Sequence, residues 1–183
     1  MLFLRNNWNY EVNGLLTKER KEEYLALAER MRTIFYKSAP LEVGIKTYRG
    51  VSIEAFRSYQ IHNLSELKYL KDKYLYEEGF TSTSLIKEKS FYQRDVYTLT
   101  GKPNILIECF IPVGSDDGIP LVMDDVSYSK GQCEFVINSS SLFKVIDVSV
   151  DEIHQTASMK VLLIPEKVWN YQDYICEREG LTR

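Results

Sequence analysis

Apolar side chains recur along this chain with two different periods. Tyr24, Leu27, Ala28, Met31, Ile34 and Phe35 follow one another at three- and four-residue spacing with Lys and Glu between them, which predicts an amphipathic helix. Pro40 ends it. Ile45 to Val51 then reads as a short β-branched and aromatic strand, and Leu64, Leu67 and Leu70 mark a second helical region with Asn63 as its N-cap. Gly79 opens Phe80-Thr81-Ser82-Thr83-Ser84-Leu85, where four consecutive positions carry hydroxyls. The turn Gly101-Lys102-Pro103-Asn104 introduces Ile105 to Ile111, the strongest strand candidate and one expected at the centre of a sheet. Further strands are predicted around Leu121-Val122-Met123, over Cys133 to Ile137, over Leu142 to Val148 and over Met159 to Ile164. Helices thus dominate the first third and strands the remainder, without βαβ alternation. The fold class this predicts is α+β, with a mixed or antiparallel sheet pair.

Composition narrows the picture. A chain of 183 residues with 44% hydrophobic and 13% aromatic content can bury a sizeable core, and the expectation is one domain over residues 1–183 without internal repeats or linkers. Its 23 basic and 26 acidic residues, spread without long runs, give a net charge of −3, which disfavours a general polyanion or membrane-surface binder. No segment is apolar enough for a signal peptide or a membrane span, so a soluble protein is expected. Cys109, Cys133 and Cys176 lack metal-type spacing, and Cys109 lies in an apolar run where it packs as a small hydrophobe. His62 and His154 have no second ligand at a useful spacing, and no dinucleotide or P-loop glycine motif is present. Neither a metal nor a Ser-His-Asp or Cys-His site is signalled.

What remains is a constellation in chain order: Tyr48-Arg49-Gly50, then Ser82-Thr83-Ser84, then Gln132-Cys133-Glu134. Glu134 is unusual as a carboxylate at the mouth of an apolar strand, and Gln132, two residues earlier, shares its face if the strand reaches that far. Each motif alone reads blandly. Arg49 would be an ordinary ion-pair partner, the Ser-Thr-Ser run a solvated edge strand, and Tyr128 a loop anchor. In this order and these strand contexts, over about residues 10 to 165, the chain resembles the mono-ADP-ribosyltransferases of the Arg, Ser-Thr-Ser, Glu type, the ADP-ribosyltransferase exoenzymes.

The resemblance implies two packed, mostly antiparallel sheets behind N-terminal helices, around a cleft for NAD⁺ as substrate, with no metal. It implies that Glu134, Gln132, Ser82 and Arg49 are catalytic and that Tyr48, Arg49, Gly50, Ser82, Thr83, Ser84, Asn13 and Phe91 bind NAD⁺, with Tyr92 as an alternative to Phe91. Cleavage of the nicotinamide–ribose bond passes through an oxocarbenium-like transition state, which a nearby carboxylate stabilises. A planar guanidinium suits the pyrophosphate. Tyr128 and Gln132 would recognise the acceptor, and Gln in place of Glu implies a target other than arginine, because a neutral amide matches an amide or base edge. The leading expectation is transfer of ADP-ribose to a protein Asn or Gln side chain. Modification of a nucleic-acid base by a toxin held off by an antitoxin or immunity protein is the first alternative, and an inactive binding domain the second. The family pattern departs at Tyr10 to Leu16, where Thr17 follows instead of an arginine, leaving Arg5, Arg20 or Arg32 to supply a phosphate contact. The family's earlier N-terminal helices have no counterpart, which points to a minimal toxin or an excised domain, acting in the cytoplasm or delivered into a target cell.

Overall fold

The computed structural model describes residues 18–90, 104–121 and 133–168. Helix α1 spans Lys18–Lys37, and eight strands follow: β1 Ile45–Val51, β2 Tyr74–Glu77, β3 Thr81–Ser84, β4 Ile105–Ile111, β5 Gly118–Leu121, β6 Glu134–Ile137, β7 Ser141–Asp151 and β8 Thr156–Ile164. Short 3₁₀ segments at Ile53–Tyr59 and Leu64–Leu70 separate β1 from β2. The α+β reading therefore holds, and Ile105–Ile111 lies inside the sheet between β8 and β1.

The strands form one hydrogen-bonded order, β2-β7-β8-β4-β1-β3-β6-β5, rather than two separate sheets as the resemblance implied. All neighbours are antiparallel except β4 and β8, which run parallel. The two expected halves meet at a narrow seam, because β1 and β3 share a single register pair, Tyr48 with Ser84. Chain reach shows that the sheet folds over at this seam. β2 and β3 stand five places apart in the order yet are joined by residues 78–80 alone, and β6 and β7, also five places apart, by residues 138–140 alone. A flat sheet would separate each pair by about 24 Å, whereas such links span at most about 14 Å. The two halves must face each other.

Between them lies the main core. Phe56, Ile61, Leu67 and Leu70 from the 3₁₀ segments and the turn between them meet Ile105, Cys109, Ile111, Val145, Met159 and Val161 from the long strands and Phe135 and Ile137 from β6. A smaller cluster seats α1 on the other face of the short strands, with Phe35 against Phe80 at 5.8 Å between ring centroids and Val136 beneath them. β6 is thus covered on both sides, which explains why Phe135, Val136 and Ile137 follow Glu134 without polar alternation and are all fully buried.

Two expectations are corrected. The helical periodicity assigned Leu27 and Ile34 to the core, but they are 44% and 54% exposed, since α1 touches the sheet through the narrower stripe Ala28, Met31 and Phe35. The second helical region is a 3₁₀ segment rather than an α-helix, although Asn63 does cap it, accepting the Glu66 amide at 3.1 Å. Cys109 is the buried hydrophobe expected. Burial pushes its thiol up to about 12, with the nearby Arg49 charge pulling the other way. Among the described residues no helix is long and apolar enough to cross a membrane, and no group of three or more His, Cys, Asp or Glu is placed to hold a metal ion.

Candidate active site

The three motifs lie on β1, β3 and β6, which are consecutive in the sheet. Register puts Tyr48 opposite Ser84 and Ser84 opposite Glu134, so these residues share a face with Ser82, two positions along β3. Ser82 is the diagonal neighbour of Glu134 and donates its hydroxyl to Glu134 Oε1 at 2.5 Å. A cross-strand hydrogen bond therefore holds the carboxylate through one of its oxygens. Both side chains are half-buried.

The remaining hydroxyls of the run are directed elsewhere. Thr83 is buried and donates to the Phe135 carbonyl at 2.7 Å, pinning β3 to β6 on the core face. Ser84, also buried, accepts the Ile86 amide at 3.0 Å and shapes the turn out of the strand. These two residues hold the wall upon which Ser82 and Glu134 sit. Immediately before Glu134, Cys133 adopts a left-handed φ of 46° and is exposed, its carbonyl accepting the Leu85 amide. The strand consequently begins at Glu134, and the simple alternation that would align Gln132 with it does not extend past this turn.

Arg49 and Gly50 approach from the other side of the seam. After the Tyr48–Ser84 pair the β1–β3 ladder stops, and the Gly50 amide turns instead to the Ser90 carbonyl at 2.6 Å. The strands part beside Arg49 and Gly50 on one bank and Ser82 and Glu134 on the other. Arg49 Nη1 lies 3.7 Å from Glu77 Oε2, a partner no motif indicated, with only 15% and 19% of the two side chains exposed. Tyr48 is half-buried under the Lys46 ammonium, 5.4 Å from the ring centroid, and this tyrosine is the chief cause of the raised Lys46 pKa. Arg32 is held away from this opening: its Nε donates to Ser139 Oγ beyond the far end of β6, and Nη1 pairs with Glu29. Asn13, Phe91, Tyr92, Tyr128 and Gln132 lie outside the described residues, as do Thr17 and Arg5.

A sheet folded over a seam, with a serine-held carboxylate on one bank and an arginine on the other, is the architecture of an ADP-ribosyltransferase. Solved structures share it. The C3 enzyme of S. aureus, solved with NAD, matches at a TM-score of 0.60 and 16% identity, covering 85% of this chain and 75% of that one. The Clostridium limosum C3 exoenzyme matches at 0.60 and 20%, covering 88% and 76%, and a C3 ADP-ribosyltransferase from Clostridium botulinum at 0.61 and 19%, covering 87% and 76%. At such identities the likeness is one of fold. No curated protein matches the chain. The family description "ADP-ribosyltransferase exoenzyme" matches residues 5–169, and the chain belongs to that family, an NAD⁺-dependent mono-ADP-ribosyltransferase of the toxin type.

Proposed function

We propose that this enzyme transfers ADP-ribose from NAD⁺ to an Asn or Gln side chain of a protein, with Glu134 stabilising the transition state. The observation that carries the catalytic part is the 2.5 Å hydrogen bond from Ser82 to Glu134, which presents a preorganised carboxylate beside the seam. As the bond between C1′ of the ribose and the nicotinamide nitrogen breaks, the electron pair leaves with nicotinamide and positive charge develops on the ribose. Glu134 faces that charge and accepts from a ribose hydroxyl. Arg49 holds the pyrophosphate, and Gly50, without a side chain, admits the nicotinamide amide close to the backbone. The acceptor nitrogen then attacks C1′ and loses its proton. Gln132 supports the acceptor class, because its amide offers one donor and one acceptor group to a side-chain amide, where a glutamate would favour a guanidinium.

Labelled NAD⁺ incubated with the protein and a cell lysate, then divided between protease and nuclease treatment, tests this reading. Label that survives nuclease and is lost to protease is the expected result. Loss to nuclease would transfer the assignment to a nucleic-acid base, and the absence of both label and released nicotinamide would leave an inactive binding domain. Gln132→Ala should spare NAD⁺ hydrolysis while abolishing transfer, so equal loss of both would contradict its acceptor role.

A further inference from the structure

Arg49 shares its face of β1 with Thr47 and Val51, both buried, so its guanidinium enters partly apolar surroundings. A cation there requires a fixed counter-charge to keep one orientation. Glu77 is that charge, at 3.7 Å, and it comes from β2, four places from β1 in the strand order. Only the folding of the sheet brings them together.

The backbone presenting Glu77 is clamped on both sides. β2 is an edge strand bonded to β7, with Glu77 opposite Ser141, and its outer edge is met by Tyr59. Tyr59 Oη accepts the Tyr76 amide at 2.7 Å and is itself 3.1 Å from the Tyr76 carbonyl, so one phenol serves both backbone groups of the residue before Glu77. On the following residue, the Glu78 carbonyl accepts the Ser140 amide at 3.2 Å. Residues 78–80 then lead directly into β3 and Ser82. The carboxylate on Arg49 and the hydroxyl on Glu134 therefore belong to one short, pinned segment.

We propose that Glu77 is a positioning residue for NAD⁺: it orients the Arg49 guanidinium across the folded sheet so that the free edge of its donor fork meets the pyrophosphate, in register with the Ser82–Glu134 pair. The inference rests on the role given to Arg49 above. A guanidinium carries five N–H donors and can serve a carboxylate on one edge and a phosphate on another. Orientation outweighs the repulsion between Glu77 and the phosphates, because a fork that must be reset on each binding event loses its preorganisation, whereas the repulsion is shielded by the cation between them.

Steady-state nicotinamide release measured against NAD⁺ concentration tests this with Glu77→Gln, Glu77→Asp, Arg49→Lys and the Glu77→Gln/Arg49→Lys double variant. Glu77→Gln should raise the KM for NAD⁺ by about tenfold, and Glu77→Asp by less because the charge is retained. Turnover at saturating NAD⁺ should stay within about twofold of the parent, since the chemistry belongs to Glu134. The double variant should be no worse than Arg49→Lys alone, as expected when one residue acts through the other. An unchanged or lowered KM in Glu77→Gln, where Arg49→Lys raises it, would overturn the positioning role and leave the Arg49 assignment standing. A KM unaffected by Arg49→Lys would remove the Arg49 assignment itself, and this inference with it.

Discussion

Removing the Ser82 hydroxyl takes from Glu134 a hydrogen bond of the charge-assisted kind, which contributes about 1.5–3 kcal/mol. If that bond orients the carboxylate in the transition state, Ser82→Ala should lower turnover by roughly ten- to a hundredfold. Its melting temperature should stay close to that of the parent, because Ser82 is only half-buried. Turnover within twofold would show that Glu134 needs no such support. At this scale the sequence was informative wherever a residue acts through its motif: Glu134, Ser82 and Arg49 announce themselves by order and strand context. It was silent on Glu77, whose partner is brought to it by the fold alone, and on the division within the run, where Thr83 and Ser84 direct their hydroxyls to backbone. Arg49 illustrates both readings at once, since the ordinary ion-pair partner and the candidate phosphate ligand are the same guanidinium.

Elements announced by strong local chemistry were legible. Ile45–Val51 and Ile105–Ile111 appear with the predicted bounds, and the start of Leu64–Leu70 is where Asn63 placed it. Its 3₁₀ geometry was not legible, because leucines three residues apart fit both helix types. Nor was β2, a four-residue edge strand defined by its pairing to β7 rather than by its own pattern. The Leu64–Leu70 segment begins with a reciprocal cap: Asn63 accepts the Glu66 amide while the Glu66 carboxylate accepts the His62 amide at 2.7 Å. Chiefly through that His62 bond, the Glu66 pKa is lowered. A folded-state pKa below the unfolded one means that the ionised carboxylate stabilises the fold above the unfolded value, and that this is lost as pH falls through the folded one. Glu66→Gln should therefore melt below the parent at neutral pH, and the difference should vanish toward about pH 3, below the usual carboxylate range. A difference independent of pH would contradict this cap.

For the molecule as a whole, local pattern gives the fold class and little of the topology. The parallel β4–β8 pair and the single-pair seam between β1 and β3 depend on contacts between distant segments. So does the space around Gly118, where an added Cβ would overlap the Phe135 ring. That ring is fully buried between the two halves and cannot swing aside, so Gly118→Ala should destabilise the protein by about 1–3 kcal/mol, measured by chemical denaturation. Undiminished stability would mean that the folded-over packing is looser than described. The account as a whole depends on the carboxylate this packing delivers to the seam. Nicotinamide release and ADP-ribose transfer from NAD⁺, measured side by side for the parent and for Glu134→Ala with matched melting curves, test it most directly. The predicted result is loss of both activities in a variant that melts like the parent; a folded Glu134→Ala that still releases nicotinamide and labels its acceptor at the parental rate would contradict it.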